Sequence, residues 1–308
     1  MSDGAIIKTR QLSKSYGAFQ AVRALDLEVR EREIFGLLGP NGAGKSTTIL
    51  MLLGLTEPTS GEASVCGYDP VRHPLEVKRQ VGYLPEKVGF YEELTAEEDL
   101  KYTAYLNGLS PKSASERIKE ALKRVGLADV AQKRVGQLSH GMKQRLGIAD
   151  VLVKAPRLVI LDEPAAGIDP EGVSQLLELI TRLNRELGMT VVFCTHMLQQ
   201  VEKICHRVGV MAHGQMVGEG NLEELKRGKR FLIEVKVKEL GTAILPAIQK
   251  IEGIFSAEKR DDGLLVESDR DVRSEVAKVV VAGGGLLEGM KLREHSLEDI
   301  YRRYVREA

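Results

Sequence analysis

Gly39-Pro40-Asn41-Gly42-Ala43-Gly44-Lys45-Ser46 follows the apolar run Ile34-Phe35-Gly36-Leu37-Leu38 and precedes a stretch that reads as a helix from about Gly44 to Leu53, stopped by Gly54. It fits the spacing G-x-x-x-x-G-K-S/T in the strand, loop, helix context that gives the pattern meaning. Glycines let the backbone curl so that successive N–H groups point inward at an anion. The start of the helix adds the positive end of its dipole. Lys45 then neutralises the β- and γ-phosphates of a nucleotide, and the Ser46 hydroxyl can ligand Mg²⁺. The loop therefore predicts a phosphate site at the end of a buried strand.

Two further apolar runs fit the same architecture. Leu158-Val159-Ile160-Leu161 and Thr190-Val191-Val192-Phe193-Cys194 are continuous rather than alternating, as in parallel strands buried on both faces. Val173 to Leu187, between them, has helical periodicity. Thr95 with Glu98 forms a capping-box pattern before Leu100 to Leu106, and Ser110-Pro111 opens a second helical stretch that runs to Gly126. Ile6 to Val29 reads as strand segments with a turn at Ser15-Tyr16-Gly17. The fold class is α/β: strand–loop–helix units around a parallel sheet, with a helical insertion near 95–150.

Asp162 closes the first of these runs and Glu163 follows it. With a phosphate loop present, a carboxylate at that strand end helps hold Mg²⁺. Strand alternation points Glu163 away from Asp162, unless the end of the strand turns it toward the γ-phosphate.

Acidic and basic residues balance at 44 each among 308 residues, which argues against a nucleic-acid binder held by a basic field. Hydrophobic residues at 43% and charged residues at 29% support a packed core and exclude general disorder. No run approaches the 18–20 apolar residues that a membrane-spanning helix needs. The opening Met-Ser-Asp-Gly lacks the basic-then-apolar pattern of a signal peptide. Cys66, Cys194 and Cys205 are widely spaced, form no C-x-x-C, and read as buried thiols in a reducing compartment.

The pattern changes after Leu225-Lys226-Arg227-Gly228. Phe231, Ile233, Val235 and Val237 alternate with polar residues, the mark of a strand with one wet face. A helix near 243–251, strands near 253–259 and 263–268 with a turn at Asp261-Asp262-Gly263, a helix near 271–281, a strand near 286–292 and a helix from Ser296 are expected. The order β-α-β-β-α-β suggests a small ferredoxin-like α+β domain over about 229–308, after a nucleotide domain over 1–228.

Four further segments make the family specific. Leu138-Ser139-His140-Gly141-Met142-Lys143-Gln144-Arg145 resembles the signature sequence of ABC ATPases. Ala166-Gly167-Ile168-Asp169 resembles their D-loop, Thr195-His196 their switch histidine, and Tyr16 the aromatic that stacks on adenine. The matches occur in the family's chain order over roughly residues 5 to 220, and several independent motifs agree. His140 and Met142 depart from the common Gly and Gln of the signature, while Ser139 and Gly141 are kept. Glu86, in Gly82-Tyr83-Leu84-Pro85-Glu86, stands where the family has its Q-loop glutamine. It keeps an oxygen for a metal or water and loses the amide donor. The guanine-reading Asn-Lys-x-Asp of GTPases does not occur. A single-cassette helper of iron–sulfur assembly is the remaining relative, and the extra C-terminal segment counts against it.

The resemblance implies ATP and Mg²⁺ as ligands, and a head-to-tail pair of cassettes enclosing each ATP between one subunit's loop and the other's signature. Gly39, Pro40, Asn41, Gly42, Ala43, Gly44, Lys45, Ser46 and Thr47, with Tyr16, would hold the nucleotide from one side. Ser139 and Gly141 would hold it from the other, and Ser46, Asp162 and Glu86 would hold the metal. Lys45, Glu163 as general base and His196 as γ-phosphate sensor would serve hydrolysis. The resemblance further implies a separate transmembrane permease as partner, a peripheral position on the inner face of the cell membrane, and export as the direction of transport.

Overall fold

The computed structural model describes residues 4–222, 231–238, 241–260 and 263–293. They form two compact units, the first ending at Asn221 and the second starting at Leu222. In the first unit the chain runs through β1 (Ala5–Tyr16), β2 (Phe19–Arg30), β3 (Ile34–Leu38), α1 (Lys45–Leu52), β4 (Ser60–Val65), α2 (Pro74–Gln80) and β5 (Val81–Leu84). A helical stretch follows: α3 (Ala96–Leu106), α4 (Pro111–Arg124) and α5 (His140–Val153). The sheet then resumes with β6 (Leu158–Asp162), α6 (Pro170–Leu187), β7 (Thr190–Thr195), α7 (Leu198–Ile204), β8 (Arg207–Ala212) and β9 (Gln215–Asn221).

The main sheet has the order β5-β6-β7-β3-β8-β9, parallel except for the β8–β9 pair. Every residue of β3, β6 and β7 is buried, so the three continuous apolar runs are interior strands with both faces covered. Phe35 and Phe193 sit fully buried on neighbouring strands, and such a ring contributes about 2–3 kcal/mol by leaving water. A second, antiparallel sheet of order β2-β1-β4 packs its Ile7, Leu12, Leu25 and Val65 into the same apolar cluster as Phe35 and Leu37.

The helix starts follow from local chemistry. Thr95 and Glu98 close a reciprocal capping box, with Glu98 N donating to Thr95 Oγ1 at 3.2 Å and Thr95 N donating to Glu98 Oε2 at 2.9 Å. Ser110 caps α4, with Pro111 at its first position. Asp169 caps α6, whose end Gly188 closes in the left-handed conformation. The first hairpin differs slightly from expectation: strand geometry persists through Tyr16 and resumes at Phe19, so the turn is carried by Gly17 and Ala18.

The second unit runs β10 (Phe231–Lys238), α8 (Ile244–Ile248), β11 (Ile254–Arg260), β12 (Gly263–Ser268), α9 (Arg273–Ala282) and β13 (Leu286–Arg293). Its sheet has the order β11-β12-β10-β13, with every pair antiparallel. Ile233, Val235 and Val237 turn inward against Ile244, Ile248, Val276 and Val280, forming a core of its own. The helix expected from Ser296 and the Asp261-Asp262 part of the expected turn lie outside the described residues. No described helix is long and apolar enough to cross a membrane.

Candidate functional site

The sheet order places β6, β7 and β3 side by side, and all three run parallel. Their C-terminal ends therefore share one edge, the usual ligand edge of an α/β sheet. Three stretches far apart in sequence meet there: the loop after Leu38, the Asp162–Glu163 pair, and Thr195–His196.

The loop has the form the glycines require. Gly44 adopts φ 101°, and a β-carbon there would lie 2.6 Å from the carbonyl oxygen of Ala21. A β-carbon on Gly39 would lie 2.5 Å from the carbonyl oxygen of Met211. Only glycine fits either position, so the loop is pressed against the surrounding backbone and its curl is fixed. Lys45 is buried, and its ammonium donates to the carbonyls of Gly39 at 2.6 Å and Pro40 at 3.2 Å. The cation is thus held over the mouth of the loop it belongs to.

Ser46 donates its hydroxyl to Asp162 Oδ2 at 3.2 Å. Asp162 is buried, and that burial pushes its carboxyl pKa above the ordinary value. The Ser46 hydrogen bond opposes the shift, the charge of Glu163 adds to it, Lys45 opposes it, and the charge of Glu86 adds a smaller part. A hydroxyl and a carboxylate this close are hard oxygen donors of the kind Mg²⁺ takes beside phosphate. Glu86 itself is exposed, just past β5.

Glu163 leaves the strand abruptly. Its φ of 46° is left-handed, a conformation that costs a non-glycine residue roughly 1–2 kcal/mol. That turn, not strand alternation, decides where the carboxylate goes. Its Oε1 lies 2.8 Å from His196 Nδ1, and its Oε2 accepts from the Thr195 hydroxyl at 3.0 Å. The Glu163 backbone N–H is bonded to the Cys194 carbonyl at 2.9 Å, which ties the turn to β7. In the sequence Thr195 stands out only as the neighbour of His196. Its clamp on Glu163 has no sequence signal beyond its place at the end of a buried strand.

Tyr16 stands at the end of β1, half exposed, with the Lys14 ammonium 5.0 Å from its ring centre. Among the described residues no hydrogen bond and no shared cavity joins Ser139 or Gly141 to Lys45 or Asp162. Ser139 is the N-cap of α5, with its hydroxyl accepting from Met142 N at 3.3 Å. With Gly141 it borders a cavity of about 320 Å³ whose opposite wall is Gly167, Ile168 and Asp169.

A central parallel strand running into a glycine loop, with a lysine over it and a strand-end carboxylate beside it, defines a P-loop nucleoside triphosphatase. The sequence profile of the family described as ABC transporter matches residues 22–166. The bacitracin transport ATP-binding protein BcrA of Bacillus licheniformis is 37% identical over 97% of this chain and 97% of its own length. The linearmycin resistance ATP-binding protein LnrL of Bacillus subtilis is 33% identical over 96% of this chain and 97% of its own. Among solved structures, the chain resembles cbiO1 of Clostridium perfringens, part of an ABC transporter complex, with a TM-score of 0.69, 30% identity, and coverage of 74% of this chain and 92% of that one. It also resembles the dimeric cassette MJ0796 bound to ADP and Pi, with a TM-score of 0.64, 26% identity, and coverage of 70% and 98%. The chain belongs to the ATP-binding proteins of ABC transporters. It binds and hydrolyses ATP as the energising subunit of a transporter, the kind of subunit that works with a separate transmembrane permease.

Proposed function

We propose that two copies of this cassette pack head to tail, so that Ser139 and Gly141 of each serve the ATP held by the other's loop. Among the described residues Ser139 and Gly141 share no hydrogen bond and no cavity with Lys45 or Asp162, which supports this reading, because a complete site then needs a second subunit. Gly39 to Thr47 wrap the phosphates and Tyr16 takes the adenine face. Lys45 exchanges the carbonyls of Gly39 and Pro40 for phosphate oxygens. Mg²⁺, when bound, neutralises charge on the phosphates, with Ser46, Asp162 and, on the Q-loop side, Glu86 as its protein partners. Glu163 accepts the proton of the attacking water, and the Thr195 hydroxyl and His196 fix the carboxylate in place. His196 bonds Glu163 through Nδ1 and, nearly half exposed, presents its other ring nitrogen to the γ-phosphate.

The observation that carries this assignment is the pair of bonds on Glu163, which hold a carboxylate one residue past the metal-side aspartate in one orientation. Glu163→Gln should bind ATP, accumulate as dimer and turn over 10²–10⁴-fold more slowly, while Lys45→Ala should lose tight ATP binding. Near-normal turnover of Glu163→Gln removes Glu163 from the role of base.

The permease docks against the helical insertion. Tyr91 is half exposed and packs edge-on against Tyr102 at 5.5 Å, and Tyr105 and Leu106 stand exposed on the same helix. Aromatics of this kind anchor a short helix in a groove. The chain then sits on the cytoplasmic face of the membrane through its permease. Export is the direction we favour, supported by relatives named for bacitracin transport and linearmycin resistance. The second unit, read as ferredoxin-like, stabilises or regulates the dimer and does not cleave ATP. A chain ended after Gly228 should still bind ATP.

A further inference from the structure

The residue that departs most from the signature pattern makes a contact that glycine cannot make. His140 is the first residue of α5, directly after the cap Ser139. Its Nε2 lies 2.8 Å from the carbonyl oxygen of Ala166. A carbonyl only accepts, so Nε2 carries the proton and donates, whether or not Nδ1 is also protonated. The ring lies close over Gly167, where an added β-carbon would come within 3.2 Å of Nε2. Gly167 has φ 72°, so it keeps both the backbone shape and the space that the imidazole uses. Beside this contact, a β-carbon on Gly141 would lie 3.9 Å from Ile168 Cγ2. Farther along α5, Arg145 hydrogen-bonds Gln175 of α6, which in turn bonds Glu171 at 3.3 Å. The start of the signature helix is therefore tied to the D-loop through the His140–Ala166 contact.

Ala166 is not a neutral place to attach. Its own N–H donates to the Glu163 carbonyl at 3.1 Å, closing the turn that holds Glu163 in its left-handed conformation. Two hydrogen bonds in series thus join the backbone of Glu163 to the residue next to Ser139. We propose that His140 is a positioning residue for hydrolysis: through the Ala166 carbonyl it couples the signature end, which serves the opposite subunit's ATP, to the turn that aims Glu163 at the chain's own ATP. This rests on the roles given above to Ser139 and Glu163. Glycine at this position leaves the Ala166 carbonyl to water and the two ends free to move independently.

The test compares steady-state hydrolysis by the full chain bearing His140→Ala, His140→Asn or His140→Gln, all with Glu163 intact. Position 140 is exposed and α5 keeps its Ser139 cap, so the variants should unfold within a few degrees of the parent. Glutamine carries an N–H at about the reach of Nε2, while asparagine is one bond too short. His140→Ala and His140→Asn should lower kcat about fivefold, or ~1 kcal/mol, with KM for ATP within about twofold. His140→Gln should stay within about twofold of the parent in both constants. Parent and His140→Gln should share the same limbs in their pH–rate profiles, because the imidazole donates in either charge state. Unchanged kcat in His140→Ala, a fall in His140→Gln as large as in His140→Ala, a loss confined to KM, or a pH limb unique to the parent would each overturn the proposal. Failure of the Glu163 assignment would show instead as near-normal turnover in Glu163→Gln, whatever the His140 variants do.

Discussion

Thr195→Val tests the geometry around Glu163 without touching either charged group. Valine has nearly the shape of threonine but carries a methyl in place of the hydroxyl, so at a position with no exposure the change acts through the hydrogen bonds it removes. Three contacts depend on that oxygen. It lies 3.0 Å from Glu163 Oε2 and 3.3 Å from Gln200 Oε1, and it accepts from Met197 N at 3.1 Å. One hydroxyl proton serves one acceptor at a time, and the ionised carboxylate at the shorter distance is the stronger claimant. Hydrogen bonds to charged groups contribute about 1.5–3 kcal/mol. The Glu163 side chain keeps slight access to water and Met197 is partly exposed, so solvent recovers part of that energy, and the lower end applies. A loss of about 1.5 kcal/mol in aiming Glu163 corresponds to a roughly tenfold lower kcat. ATP binding, which uses the loop and Lys45, should be unchanged. Thr195→Ser, which restores the hydroxyl, should recover most of the activity. The assay is steady-state phosphate release with nucleotide binding measured separately. If Thr195→Val turns over within twofold of the parent, or if Thr195→Ser falls as far as Thr195→Val, the hydroxyl does not hold the base.

Other regions give independent tests. Gly39→Ala would push a β-carbon into the Met211 carbonyl at 2.5 Å, so it should cost about 1–3 kcal/mol in thermal or urea unfolding and weaken ATP binding together. Asp150, on α5, has a carboxyl raised by burial and an Oδ1 with no hydrogen-bond partner among the described residues. As pH rises above the ordinary carboxylate value, the unfolded chain loses this proton before the folded one does, so folding stability falls across that window. Urea midpoints at pH 4.5 and 8 should therefore differ less in Asp150→Asn than in the parent, with the variant gaining at pH 8. Burial pushes the Cys66 thiol up to about 11 and raises Cys194 and Cys205 as well, so a maleimide should label the native chain slowly at pH 7 and rapidly in denaturant. Phe90 precedes Tyr91 in the chain and is partly buried, and Phe90→Ala with Tyr91→Ala should leave ATP hydrolysis intact while permease binding or transport falls, read by co-purification from membranes.

The parts legible in the sequence were those where one physical demand dominates a short stretch. Buried parallel strands demand unbroken apolar runs, and 34–38, 158–161 and 190–194 gave β3, β6 and β7 to within a residue or so. The capping box at Thr95 and the Ser110-Pro111 pair marked two helix starts correctly. Elements with weaker demands went unread. β4 buries only Val65 fully, and α2 buries only Val77 among seven residues, so neither carries a hydrophobic period. Ser139 reads in the sequence as a signature serine, and within this chain the structure also makes it the cap of α5. The roles of Thr195 and Ala166 were invisible because they depend on which carbonyls and carboxylates lie across a fold, and no spacing along the chain records that. Glu163 shows the same limit: alternation along a strand says nothing about a residue that turns left-handed just beyond its end.

The pairing of β3 also has a consequence for how the protein is made. Ile34 pairs with Val191, and Phe35 with both Val192 and Arg207. About 160 residues must therefore leave the ribosome after β3 before its first sheet neighbour exists, roughly 8–30 s at ordinary rates of synthesis. During that interval Ile34-Phe35-Gly36-Leu37-Leu38 has apolar side chains and unpaired backbone groups with no partner in the sheet. Nascent chains that end before residue 191 should be held by chaperones or lost to aggregation, and should gain protease resistance only once β7 has emerged. The strand that ends in the phosphate loop is thus among the first segments synthesised and among the last to be protected.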